Sequence, residues 1–356
     1  MAATPRVPLV HITDLYHPAQ DPDDQFDLAT VLALPEIELK AVLLDVTRKF
    51  LIPAPEGWDR PRDPGLVTVK QAAMLRGESI PVAVGPVDPL ADEADDASDR
   101  PASEQGAIQL LLEVLSAADQ PVAISVVGSA RILAAALRRD PALVKRQVSA
   151  VWLNAGSTVR GELEWNVTLD PVAFRILWRS GVPIRWFPCA TENGAFDPQP
   201  ERGTHWSATH AALVTGLPAR WRGWFAYGWT GSDRTDHLAA MTELAQGPEW
   251  EKHLADRRSM WSTASLAMAA GRVLARTTEA GWRFLPANEV LPADLETWPW
   301  RLDPIAADVL PDSHIEWNLS SDGSPHRLFG RRSGAEYGEA MAQALNALFM
   351  EQLDVV

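Results

Sequence analysis

The run PLVHITDLYHPAQDPDDQFDLATVLALPEIELKAVLLD, residues 8–45, constrains this chain more than any other stretch. Val7 to Thr13 reads as a buried strand that stops at Asp14. A proline-containing loop follows, carrying Asp21, Asp23 and Asp24. The period then changes: Phe26, Leu28, Val31, Leu32 and Leu34 have the one-sided spacing of an amphipathic helix. Leu39 to Leu44 predicts a second strand, ending in Asp45. This is a βαβ unit with a cluster of carboxylates at the carboxyl end of its first strand. Open α/β sheets bind their ligands along that edge.

Carboxylates crowded on one short loop repel one another, and folding them together calls for a compensating charge. A hard divalent cation with oxygen ligands supplies it, and Ca²⁺ tolerates the irregular geometry of a loop. The alternative is a solvated acidic loop in which Asp23 or Asp24 caps the following helix. An EF-hand is excluded, because its alternating ligands, central Gly and late Glu are missing.

Further strands are expected at Ile80 to Gly85, Pro121 to Val127, Val148 to Leu153 and Val182 to Phe187. Helical spacing lies between them at Thr68 to Leu75, Gly106 to Ala117 and 171–180. Alternation of this kind predicts an α/β fold with a mostly parallel central sheet and helices on both faces. Loops are expected at FLIPAPEGWDRPRDPG after Asp45 and at the acidic run 91–100, the latter as a solvated charge run. Helical text at 236–257, a helix from Met260 with Ser262 or Thr263 as N-cap, and strand-like scraps over 282–333 complete the chain. The last helix, within 334–353, should bury Tyr337, Met341, Leu345 and Leu348.

At 356 residues with 46% apolar content, one large α/β domain over 1–356 is expected, with a core at 7–190 and a divergent part at 191–356. The formal net charge of −15 argues against a phosphate-neutralising surface, so no nucleic-acid partner is expected. No run suits a bilayer, the N-terminus lacks a signal-peptide h-region, and the lone Cys189 suits a reducing cytoplasm. The expected partners are a small-molecule nucleoside or riboside and further copies of the chain, with no membrane. The 15 tryptophans should be mostly core or interface, and some could form a stacking wall in a pocket.

The chain resembles the inosine–uridine nucleoside hydrolase family, whose first strand runs into Asp-x-Asp-Pro-Gly-x-Asp-Asp. Counted back from Pro35-Glu36-Ile37-Glu38-Leu39, Asp23-Asp24 match the closing pair and Asp14 one opening aspartate. Tyr16 to Gln20 are extra here, no Gly is present, and Asp21 is the candidate for the other opening position. VAISVVGSARILAAALRRDP resembles the family's strand–Gly-Pro-Leu-Thr-Asn–helix unit, and Glu164-Trp165-Asn166 with Asp170-Pro171 resembles its Glu-Phe-Asn…Asp-Pro segment. The resemblance implies a Ca²⁺ held by Asp14, Asp21, Asp23, Asp24 and the Val127 carbonyl, with Asp14 and Asp23 activating the attacking water. It implies ribose binding by Glu164 and Asn166, to which Asn154 and a stacking Trp261 are added. A Glu and an Asn two apart in an extended loop would point the same way. The structural alternative has Asn166 tying down the loop and Asp170 capping the helix at Pro171, the role preferred for Asp170.

One departure matters most. Aligning Leu266-Ala267 with the family's His-Asp-Pro-Leu-Ala puts Thr263 and Ala264 over the His and Asp, so the leaving-group acid and the last metal ligand are both replaced. The implied activity is Ca²⁺-dependent hydrolysis of an N-glycosidic bond in a ribonucleoside or related riboside. The competing reading is a sugar-binding homologue that no longer turns its ligand over. A third is a glycosidase for a substrate with a better leaving group.

Overall fold

The computed structural model describes residues 6–51, 62–277, 281–290, 296–320 and 323–353. Its centre is a nine-stranded sheet. In chain order the strands are β1 (Val7–Thr13), β2 (Ile37–Leu44), β3 (Val82–Val84), β4 (Val122–Val126), β5 (Val148–Asn154), β6 (Ile184–Phe187), β7 (Trp300–Val309), β8 (Ile315–Leu319) and β9 (Arg327–Arg331). Across the sheet they run β8-β7-β9-β6-β5-β4-β1-β2-β3. All pairs from β9 to β3 are parallel, and only β7 pairs antiparallel, with β8 and β9. β2 and β3 lie on one side of β1, while β4, β5 and β6 lie on the other. The order therefore reverses between β1 and β4, and the loops leaving their carboxyl ends diverge to open a crevice.

Side-chain alternation along the strands builds two cores. Leu9, Val42 and Leu44 face one core together with Phe26, Leu28 and Val31 of the helix Asp23–Ala33 and with the terminal helix Tyr337–Gln352. Val10, Ile12, Leu43, Ile124 and Val126 face the other, against the helices Gly106–Ala117, Arg131–Arg139 and Pro171–Arg179. The buried stripe Tyr337, Met341, Leu345 and Leu348 falls where its spacing placed it. No helix among the described residues is long and apolar enough to cross a membrane.

At four places the structure sharpens or corrects the local expectations. The text at 236–257 breaks into two helices, His237–Glu243 and Gly247–Ala255, and Arg257–Met260 is a strand paired with Trp206–Thr209. The acidic run is ordered by its own aspartates: Asp92, Asp95 and Asp96 accept from nearby backbone amides, and Arg100 pairs with Asp95 and Asp99. Much of the 282–333 region joins the main sheet as β7, β8 and β9, because its alternating apolar residues complete the second face. The N-cap of the first long helix is Pro22, so Asp23 and Asp24 open its first turn instead of capping it. Most of the loop expected after Asp45 lies outside the described residues.

Candidate active site

At the carboxyl ends of β1, β4 and β5 lies a cavity of about 360 Å³. Asp14, Asp23, Asp24 and Asp27 line its floor, with the Val127 backbone and Asn154, Glu164 and Asn166 across from them. Trp165, Phe196 and Trp261 form its aromatic side. The carboxylate end is deep, with Asp14 6%, Asp24 5% and Asp27 1% exposed, whereas Trp165 and Phe196 are 45% and 68% exposed at the mouth.

Asp14 follows β1 directly, and the first helix brings Asp24 back over it. The Thr13 hydroxyl donates to Asp24 Oδ1 at 3.0 Å, and the Asp24 amide donates to Asp23 Oδ1 at 3.1 Å. Three residues on, hence on the same helix face, Asp27 accepts from the Ser262 hydroxyl through Oδ2, while its buried Oδ1 has no partner. Asp45, at the end of β2, accepts from the Ser129 amide at 2.7 Å. A Cβ on Gly128 would lie 3.0 Å from Asp45 Oδ2 and 3.1 Å from Asp14 Oδ1. Close approach of these carboxylates, and not an unusual backbone angle, requires the glycine.

Packing acids this tightly out of water favours their neutral forms. Burial, helped by repulsion from Asp45, pushes Asp14 up to about 8. Burial also holds Asp23 and Asp24 well above the usual carboxylate range, the neighbouring aspartates adding to it. Asp27 rises to about 7 for the same reason, despite the Ser262 hydrogen bond. Among the described residues no cation pairs with Asp14, Asp24 or Asp27. Asp21 differs, because its carboxylate is engaged by the Arg258 guanidinium. Its expected place as a metal ligand thus competes with an ion pair reaching across 237 positions of sequence.

Across the cavity, Trp165–Leu169 is a short helix and not the extended loop expected, so the alternation argument for Glu164 and Asn166 does not hold. Glu164 is its N-cap, accepting from the Asn166 amide at 3.0 Å and from the Gly156 amide at 2.7 Å. Burial nonetheless raises it to about 7. The Asn166 side-chain amide donates to the Val127 and Asn154 carbonyls at 3.0 and 2.9 Å. It ties the ends of β4 and β5 together and touches the carbonyl expected to face a metal. Asn154 donates to the Ser265 hydroxyl at 2.8 Å, leaving its own buried Oδ1 unpartnered.

Beneath the floor, the fully buried Arg131 acts as a hub. Its guanidinium donates to Asp170 at 3.1 Å and to the carbonyls of Val46, Pro86 and Leu169 at 2.9–3.1 Å. Asp170 also takes the Leu90 amide and caps the helix at Pro171 through the Ala173 amide. Sequence reasoning found the cap and missed the hub.

Trp261, expected to stack, reaches the cavity, and so does Trp165, for which no such role was expected. Trp221 and Trp224 are fully buried, donating to the Leu353 and Thr68 carbonyls, and Trp229 stacks between His210 and Trp250. Thr263 and Ala264 are fully buried at the start of their helix and do not line the cavity. Ser262 stands at the N-cap, as expected, but spends its hydroxyl on Asp27 instead of on a helix amide.

The sequence model of the inosine-uridine preferring nucleoside hydrolases matches residues 62–281. The chain belongs to this family. The matched span begins beyond the aspartate loop, where the extra residues lie. A pyrimidine-specific ribonucleoside hydrolase of Salmonella paratyphi B is 27% identical over 182 residues, 46% of this chain and 55% of that protein. The chain thus spans about half the length of the curated relatives it matches. An inosine-guanosine nucleoside hydrolase superposes with a TM-score of 0.55 at 14% identity, covering 98% of this chain and 99% of the other. A purine-preferring ribonucleoside hydrolase from Gardnerella vaginalis gives 0.53 at 15% identity, covering 97% and 99%. At such identities the likeness is one of fold, and the nucleoside hydrolase architecture extends over the whole sheet.

Proposed function

We propose that this protein hydrolyses the N-glycosidic bond of a ribonucleoside or related riboside, with the sugar held in the deep half of the cavity. The observation that carries this is the pairing of two opposed sets: Asp14, Asp23 and Asp24 on one wall, Glu164, Asn154 and Asn166 on the other. Family membership supports the reaction class. The oxocarbenium-like transition state of such a hydrolysis is stabilised by surrounding carboxylates.

Whether the floor suits a divalent cation is answered by its donors. Asp14, Asp24 and the Val127 carbonyl are all hard oxygens, and Asp14 and Asp24 are buried without a protein cation against them, which fits Ca²⁺. Among the described residues no three His, Cys, Asp or Glu side chains are arranged as a ligand group. That agrees with Ala264 standing where the family resemblance calls for a further Asp. When bound, such an ion would orient and acidify a water.

The protein's own groups do the rest. Kept ionised by a cation held beside them, Asp14 or Asp23 would accept the proton of the attacking water. Glu164, fixed by two backbone amides, accepts from a ribose hydroxyl, and the free Asn154 Oδ1 offers a second acceptor. Trp261 provides a face for the leaving base. The lone Cys189, buried at the cavity wall, suits a cytoplasmic setting, and a homo-oligomer is expected on light scattering.

The test has two arms. Chelator-treated protein titrated with Ca²⁺ in a calorimeter should show a site that Asp24→Ala abolishes. The same protein should release p-nitrophenol from p-nitrophenyl riboside, whose phenolate leaves without an acid. Burial of Thr263 and Ala264 away from the cavity favours a second reading, a riboside binder without turnover. Tight ribose binding with no hydrolysis of the activated riboside would decide for it.

A further inference from the structure

Among the acidic residues that line the cavity, Asp27 alone lies outside every motif of the family resemblance. It stands on the first helix, Asp23–Ala33, one turn after Asp23 and Asp24, so it shares their face. Its side chain is buried at the cavity wall. The Ser262 hydroxyl donates to Oδ2, while Oδ1 is buried without a partner. A buried carboxylate oxygen left without a donor is rare, and a bound cation is among the few things that satisfy one.

The Ser262 contact says which ligand is at stake. Ser262 is the N-cap residue of the helix Thr263–Ala269, which packs against the first helix. Two residues on stands Ala264, at the position where the resemblance calls for the last metal-binding Asp. That helix carries no acidic residue at all, and Ala264 is buried away from the cavity. Asp27 brings a carboxylate to the same helix end from the neighbouring helix. Asp21, the other candidate for a spare ligand, is engaged by the Arg258 guanidinium. Among the described residues no three acidic side chains are gathered as a ready ligand group. A further ligand must therefore be a carboxylate with an oxygen to spare, and Asp27 has one.

We propose that Asp27 takes the place of the Asp missing at Ala264, binding the divalent cation of the floor through Oδ1 while Ser262 holds Oδ2. This rests on the Ca²⁺ reading of the floor given above and deepens it. The ligand has moved from one helix to its neighbour, which preserves the number of carboxylates and with it the charge that sets Ca²⁺ affinity. Ser262 becomes a positioning residue, orienting a ligand it does not replace.

Calorimetric Ca²⁺ titration of chelator-treated protein tests this together with Tb³⁺ luminescence, sensitised by Trp165 and Trp261 of the same cavity. Asp27→Ala should weaken Ca²⁺ binding at least about 10-fold, the low end of what losing even a supporting group of a metal site costs. Luminescence lifetimes in H₂O and D₂O should count about one more water on Tb³⁺ in the variant, because solvent fills the position a lost ligand leaves. Asp27→Leu, close in shape and equally unable to bind a metal, repeats the test if Asp27→Ala does not fold. Replacing Asp21 and Arg258 together by Ala should leave the affinity near that of wild type. Unchanged affinity in the Asp27 variants, with Asp24→Ala abolishing the site, would overturn the role of Asp27 and leave the Ca²⁺ reading standing. Weakened binding with an unchanged water count would do the same, since it marks a group acting from outside the shell. Loss of Ca²⁺ in the Asp21 and Arg258 double variant, with none in Asp27→Ala, would return the role to Asp21. No Ca²⁺ binding by wild type would overturn both readings.

Discussion

Asp27 is the sharpest probe of the cavity floor. Its carboxyl rises from 3.8 to about 7 through burial. An acid whose folded-state value is raised helps stability fully only below its unfolded value. That help is lost as the pH climbs through the interval, because the unfolded chain ionises first. Protein kept in chelator should therefore lose stability between about pH 4 and pH 7. At 1.36 kcal/mol per pH unit, Asp27 sets a ceiling of about 4 kcal/mol on its share of that loss. Asp27→Asn removes the charge and keeps an oxygen for the Ser262 hydroxyl, but it introduces an amide donor into a site with no acceptor named for it. An unpaired donor costs about 1–3 kcal/mol. The expected result is a variant about 1–2 kcal/mol more stable than wild type at pH 8, with a shallower fall across the interval. Urea unfolding at pH 5, 6, 7 and 8 in chelator would measure it. A variant less stable at pH 8, or one keeping the full wild-type slope, would refute the claim that Asp27 is a buried charge without compensation.

Asp170→Ala should be among the most damaging substitutions in the chain. It strips Arg131 of its buried carboxylate and leaves the Leu90 and Ala173 amides unpaired, at a cost of about 3–5 kcal/mol on denaturant unfolding. Asn166→Ala frees the Val127 and Asn154 carbonyls, and a loss of about 1–3 kcal/mol together with weakened ribose affinity is expected from melting and calorimetry. Trp221→Phe should lower the melting temperature while leaving riboside affinity unchanged, whereas Trp261→Phe should do the reverse.

The βαβ opening was legible because its period changes clearly: residues 7–13 and 39–44 are mostly apolar runs, and the apolar residues from Phe26 to Leu34 keep helical spacing. The same is true of Val122–Val126 and Val148–Asn154, each of which ends in a loop that feeds the cavity. The position of Asp170 as a cap was also legible, since Asp-Pro at a helix start has a local physical cause. Long-range pairing was not. Nothing near Asp21 announces Arg258, and nothing near Asp170 announces Arg131 as a buried hub. The short helix at Trp165–Leu169 escaped because five residues give too little periodicity to register. Asp27 was legible in principle, standing one turn beyond Asp24 on the same helix face. Composition could not separate Trp261 from Trp221, because a tryptophan at a mouth and one in a core look alike until the chain around them is folded.

The Arg131 hub divides the site into parts of unequal freedom. Beneath the floor, one guanidinium braces the Val46 and Pro86 carbonyls just past β2 and β3 against the Leu169 carbonyl and the Asp170 carboxylate. The mouth borrows Phe196 from the segment between β6 and β7 and Trp261 from the turn before the helix Thr263–Ala269, neither of which Arg131 touches. Mutational drift at the mouth can accordingly run ahead of drift at the floor. A laboratory library that randomises 194–197 and 261 should recover many folded proteins with altered choice of base, while one that randomises the partners of Arg131 should recover few.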